Sequence, residues 1–165
     1  ENITIKQLLD DTHISRQTFY NHFLDKNDLI QYIYNYRINA NFNDPKSMQS
    51  FYDSLVCSYN NMIKYHSFLK QACKMEGQNC LKDYILKHCE EFDLAYHQAL
   101  YGSEPMPEAL RFATKYHANA SSNMTLSWIL SDMPVSSEDL ASLIVQMRSL
   151  GMAELFKNGK SNPYQ

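Results

Sequence analysis

Hydrophobic positions recur at three- and four-residue steps along nearly the whole chain, and nowhere do they alternate every second residue between hairpin turns. The first stripe is Ile5, Leu8 and Leu9. Thr4 and Gln7 precede and flank it at capping-box spacing, which predicts a short helix ending near Asp11. Thr12, His13 and Ile14 make a tight connection. Ser15 then stands as the cap of a second short helix running to about Phe23, with Phe19 and Phe23 on its inward face. Asp25 caps a third helix carrying Leu29, Ile30, Ile33 and Tyr34, which continues towards Phe42 until Asn43, Asp44 and Pro45 interrupt it. The pattern divides the chain into a small module over residues 1–43 and a larger unit over residues 44–165.

In the larger unit the periodicity predicts helices at about 46–64, 66–75, 78–101, 107–131 and 136–157, separated by Gly77 and by the stretches GSEPMP and DMPVSS. Ser136 and Asp139 repeat the capping spacing ahead of a stripe of Leu140, Leu143, Ile144, Met147 and Leu150. All five prolines fall between the periodic segments, and there are only four glycines. The fold class is therefore all-α.

Composition narrows the function. With 165 residues and 44% hydrophobic content the chain can bury a real core. Its apolar runs are only a few residues long and no charged-then-apolar leader opens it, so it reads as cytoplasmic, with no membrane partner. Cys57, Cys73, Cys80 and Cys89 form no CxxC pair, which suits reduced thiols better than a disulfide frame or a zinc ribbon. A net charge of −3 argues against a protein that coats nucleic acid without regard to sequence, while leaving room for a local reading surface. No Gly-rich phosphate loop, GxSxG or HExxH occurs, so neither an enzyme nor a cofactor is expected.

Two short helices at a tight turn, the second polar and aromatic on its outer side, form the helix-turn-helix pattern that places one helix in the DNA major groove. A plain helical hairpin has the same pattern, and residues 1–42 are slightly acidic. Arg16, Gln17, Tyr20 and Asn21 surround one outer face, where Arg can pair with guanine and Gln with adenine. Thr4 and Thr18 offer hydroxyls near helix starts, suited to phosphate.

The run TIKQLLDDTHISRQTFYNHFLDKNDLI, residues 4–30, resembles the DNA-binding signature of the TetR family of bacterial transcriptional regulators. The marks are Thr4, Ser15, Thr18, the block from Phe19 to Phe23, and Lys26 followed by Leu29. A weaker likeness runs from Tyr116 through Trp128 to SSEDLASLI, and the whole is most similar to a subgroup from low-GC Gram-positive bacteria that includes activators of dihydroxyacetone kinase operons. The resemblance implies a DNA-binding module attached to a ligand-sensing and dimerising bundle. It implies backbone-gripping roles for Tyr20, His22 and Lys26, and a homodimer on a palindromic double-stranded operator whose half-sites lie about 34 to 36 Å apart. The family has a further helix before the helix-turn-helix, whereas this sequence begins just before Thr4; Leu8, Ile14 and Phe19 are then expected to lack part of their cover.

Three further expectations concern the bundle. Eight Met, twelve Tyr and eight Phe exceed what packing requires, and an effector pocket can draw on Tyr59, Met62, Tyr84, His88, Phe92, Tyr96, Phe112, Tyr116 and Met124. For the dimer, Ala118, Ala120, Ser121 and Ser122 permit close helix approach and Trp128, Ile129, Leu143, Met147 and Leu150 supply apolar area, although an internal core uses the same residues. Cys89, Asp93 and His97 stand at four-residue intervals, a spacing that can aim three ligands at one metal ion; a reduced core thiol beside surface Asp and His explains the same letters. Besides a small-molecule regulator, a metal-responsive one and a helical protein-interaction module remain open.

Overall fold

The computed structural model describes residues 3–48, 50–152, 155–156 and 162–164, and among them all regular structure is helical. The first turns are set by local capping. The Thr4 hydroxyl accepts from the Gln7 amide at 3.2 Å and the Gln7 side chain accepts from the Thr4 amide at 2.8 Å, opening α1 (Ile5–Thr12). His13 ends it in the left-handed region at φ 56°, reversing the chain within three residues. Ser15 accepts from the Thr18 amide at 3.0 Å and opens α2 (Arg16–His22). Asp25 accepts from the Asp28 amide and Asp28 from the Leu24 amide, each at 2.9 Å, fixing the start of α3 (Lys26–Ile33).

The third helix was expected to run on to Phe42, but it loosens into a π turn, Tyr34–Ile38, and a 3-10 turn, Ala40–Phe42. The Asn39 amide donates to the Tyr34 carbonyl five residues back, at 2.8 Å. Tyr34 and Ile38 are fully inside the core, and Phe42 beyond them packs edge-on against Phe51 and Phe92.

The helix expected from 46 starts instead at α4 (Phe51–Lys64), capped by Ser50, because Asp44 holds residues 44–47 in a turn of their own through the Lys46 amide. After α5 (His66–Ala72), Asn79 at φ 57° delays α6 to Leu81–Tyr101. The GSEPMP stretch then reverses the chain into α7 (Glu108–Leu130), antiparallel to α6 and tied to it by Glu90, which meets Lys115 at 2.9 Å and Asn119 at 2.8 Å. α8 (Ser137–Met152) returns against α4, where Ser137 donates to Asn60 at 2.7 Å. Residues 155 and 156 lie in a turn rather than in the helix expected to run to 157, and part of that expected stretch falls outside the described residues.

One core joins the two units. It runs from Ile30 and Tyr34 through Phe51, Ile85 and Leu110 to Met152 and Tyr164. The side chains of Asn27 and Gln31 donate to the carbonyls of Gln78 and Asn79, and Asn35 donates to Tyr84, so α3 is fastened along its length to the start of α6. The expected boundary after residue 43 is thus a turn in the chain's course and not a gap in its core.

Candidate functional site

α2 has two sides. At about 100° per residue, Arg16, Tyr20, Gln17 and Asn21 span an arc of roughly 140°, with Thr18, His22 and Phe19 on the remaining arc. The structure exposes all six polar members and buries Phe19, which packs on Phe23 at 5.6 Å; Phe23 in turn meets Tyr32 at 5.5 Å. Gln17 donates to Asn21 at 2.9 Å, pre-ordering the two amides on one face. Thr18 shares a 2.8 Å hydrogen bond with Ser15, so both hydroxyls sit together at the helix start. Thr4 is exposed at the head of α1, and Lys26 is half-buried at the first position of α3.

Behind this face lies an open apolar groove of about 360 Å³, lined by Ile3, Leu8, Phe19, Leu29 and Ile33 on one side and by Phe68 and Met75 of the bundle on the other. Phe19 was expected to lack cover and does not, since only 6% of it is exposed; Ile14, at 45%, is the residue left open.

The bundle holds a second feature. A small cavity of about 50 Å³ is walled by Tyr59, Met62, His88 and Phe92 among the expected residues, and by Tyr34 and Asn39 from the link to α2. Space of that size takes a few heavy atoms. The remaining expected pocket residues lie elsewhere. Tyr84 faces a separate polar cleft beside Asp28 and Lys87. Tyr96 is buried in an aromatic stack with Phe92 and Phe51. Phe112, Tyr116 and Met124 are 72%, 63% and 59% exposed on the outside of α7, because the inner side of that helix is taken by Leu110, Thr114, Ala118, Ser122 and Thr125.

The residues expected at a dimer face divide between the inside and the outside of the subunit. Trp128 and Ile129 are buried within the subunit: Trp128 packs on Tyr59 at 5.4 Å and donates its indole N–H to Val135 O at 2.9 Å. Ser121 is half-buried and donates to His117 O while accepting from Arg148. Leu143, Met147 and Leu150 are exposed on α8. α7 and α8 therefore present large apolar side chains outwards, and Gly151 lies so close to His117 that a Cβ there would fall 2.1 Å from its Nε2.

The three residues weighed as metal ligands are each engaged apart. Asp93 meets Arg148 at 2.6 Å, and His97 stands between Thr114 at 2.7 Å and Tyr164 at 2.8 Å. Burial raises the Cys89 thiol to about 11, so it stays protonated and uncharged. No His, Cys, Asp or Glu grouping able to hold a metal ion occurs among the described residues.

Sequence reasoning missed the polar centre of the bundle. Arg148 is 3% exposed; it pairs with Asp93, donates to Tyr164 at 3.0 Å and to Ser121 at 3.2 Å, and lies 4.7 Å over the Phe51 ring. Burial works against its charge, but the Asp93 carboxylate and Tyr164 oxygen more than offset that and hold its pKa above the ordinary value. Burial pushes the Asp93 carboxyl upwards while Arg148 opposes the rise. Its signal was present: Leu140, Ile144, Arg148 and Met152 follow one another at four-residue steps, so a helix that buries the first two buries the arginine as well.

The comparisons with known proteins bear on all of this. A family model described as a transcriptional regulator C-terminal region, of TetR type, matches residues 49–149. The chain belongs to the TetR family of transcriptional regulators. Its fold is similar to that of the dihydroxyacetone kinase operon activator DhaS, with a TM-score of 0.62 at 20% identity, over 93% of this chain and 85% of that one. No curated protein matches it. As a TetR-type regulator it is all-α, and no described helix is long and apolar enough to cross a membrane.

Proposed function

We propose that this regulator is a cytoplasmic, non-enzymatic homodimer that reads a palindromic operator through α2 and answers to a small molecule in the bundle. The observation that carries the reading is the exposed arc of Arg16, Gln17, Tyr20 and Asn21 on a helix whose other side is anchored by Phe19. Arg16 and Gln17 supply base-edge donors and acceptors. Thr4, Ser15, Thr18, Tyr20, His22 and Lys26 ring them with groups suited to phosphate, the division of labour that sequence-specific binding needs. A helix preceding Thr4, which family membership suggests, fits the apolar groove and would steady α1 and α2.

The dimer forms through the outward faces of α7 and α8. Phe112, Tyr116 and Met124 on α7 and Leu143, Met147 and Leu150 on α8 are each more than half exposed, and large apolar side chains left in water on two helices support a partner there. The effector acts by changing which spacing of the two α2 helices is favoured, and the cavity that touches Tyr34 and Asn39 is placed to do so.

Selection of bound sequences from random DNA, followed by gel shifts across a salt series, tests this reading. A palindromic consensus whose affinity falls steeply with salt is expected. Selective binding that survives in the Arg16→Ala, Gln17→Ala double variant would overturn the assignment of the reading face. A chain that binds no DNA sequence at all would return it to a helical interaction module.

A further inference from the structure

Tyr164 is held as a bound molecule is held. Its ring meets Phe51 edge-on at 4.9 Å and His97 edge-on at 5.7 Å, with the Arg148 guanidinium 5.6 Å from its centroid, and 5% of the residue is exposed. Between Phe156 and Tyr164 the sequence is Lys-Asn-Gly-Lys-Ser-Asn-Pro, with no large apolar side chain. Among the described residues after Phe156, Tyr164 is the one buried in the bundle.

The proton arrangement defines what fits there. Thr114 spends its single hydroxyl proton on Leu110 O at 2.7 Å, so in its 2.7 Å contact with His97 Nδ1 it must accept, and Nδ1 carries the hydrogen. Burial and the nearby Arg148 charge lower His97 to about 3, so the imidazole is neutral and Nε2 is a bare acceptor. The group facing Nε2 at 2.8 Å must therefore donate, while the same group accepts from Arg148 Nη1 at 3.0 Å. A hydroxyl does both. A carboxylate would oppose the Nε2 lone pair, an ammonium would face the guanidinium, and a plain hydrocarbon ring would leave both Nε2 and Nη1 buried without partners.

We propose that the Phe51, His97 and Arg148 site is a binding site for small phenolic molecules, which Tyr164 occupies in cis and which a free phenol enters by displacing it. The tether gives Tyr164 a high effective concentration, so the free ligand competes at a disadvantage that shrinks as the Tyr164 side chain is weakened. Arg148 also lines the cavity shared with Tyr34 and Asn39, so exchange at this site is felt at the link to α2. That the exchange alters DNA binding rests on the regulator reading above; occupancy of the site does not.

Calorimetric titration of p-cresol, toluene and 4-methylbenzoate into wild-type, Tyr164→Phe and Tyr164→Ala chains decides the matter. Tyr164→Ala is expected to bind p-cresol with one site per chain and to prefer it over toluene and 4-methylbenzoate by about tenfold or more, the worth of hydrogen bonds to a buried charged partner. Affinity for p-cresol should fall from Tyr164→Ala through Tyr164→Phe to wild type. Tyr164→Phe keeps the ring and settles the question if Tyr164→Ala does not fold: it must bind p-cresol more tightly than wild type. Equal affinity for toluene would reveal a generic cavity. Equal p-cresol binding by all three chains would place the ligand elsewhere. No p-cresol binding to the folded variants would remove the site. A gel shift of the same samples with selected DNA reports on α2 separately, so a failure there leaves this result intact.

Discussion

The proposed reading head and the proposed sensing bundle are stabilised in opposite ways. From Ile3 to Leu29 the buried side chains are Leu9 and Phe19 alone, and Thr4 to Gln7, Ser15 to Thr18, Gln17 to Asn21 and Asp25 to Asp28 are tied within three or four residues of themselves, with Asn27 reaching across the chain to Gln78. In the bundle the buried polar side chains reach across the chain, His97 to Tyr164 and Arg148 to Asp93 and Ser121. Short-range bonds and exposed donors hold the first, and residues distant in sequence that enclose one another hold the second.

Breaking that contrast from the bundle side should have the largest effect. Arg148→Ala leaves the Asp93 charge buried and unpaired, and chemical denaturation should show a loss of about 3 to 5 kcal/mol. Next comes acid. His97 is lowered to about 3 in the folded chain against a usual 6.5, so the unfolded state binds more protons between those values; stability is whole above about pH 6.5 and falls as pH drops towards 3. Burial lowers His88 and His117 too, adding to the same slope. Urea midpoints at pH 7, 5.5 and 4.5 should fall in that order, by a total on the order of a few kcal/mol, and His97→Asn should flatten the curve.

Smaller effects sharpen the comparison. Met147→Glu puts a charge on the outer face of α8 and should raise the dimer dissociation constant about tenfold or more in sedimentation measurements, with little change in monomer helicity. Ser15→Ala removes a cap and should cost about 1 kcal/mol. Arg16→Ala, on an exposed side chain, should move stability by less than about 0.5 kcal/mol while abolishing selective DNA binding. A large stability loss at Arg16 with no loss at Arg148 would invert the contrast.

The same contrast governs what could be read from the letters. Capping residues and their partners lie three positions apart, so Thr4, Ser15 and Asp25 announced the first three helices within a residue or so of their observed starts. The long helices α7 and α8 carry two apolar stripes each, and periodicity does not say which one turns inwards. The dimer expectation groups Leu143, Met147 and Leu150 with Trp128 and Ile129; the first three face outwards, the last two are buried, and Leu140, Ile144 and Arg148 are the buried series of α8. On α7 the inner side is small and polar, because Thr114 and Ser122 satisfy their hydroxyls on carbonyls four residues back and leave room for the α6 and α8 side chains. The π turn at Tyr34 was also out of reach, since Tyr34, Ile38 and Phe42 at four-residue steps read the same as one face of a continuing α-helix.

That turn has a consequence for the geometry of reading. Within Tyr34–Ile38 one residue more than an α-helix needs is wound into the path between bundle and reading head. Removing it would advance everything before it by about a quarter turn and roughly 1.5 Å along the axis. The bearing of α2 on a partner is therefore set partly by how many residues the connection contains, whatever their chemistry. Insertions and deletions there act as an angular adjustment that no substitution in α2 can reproduce.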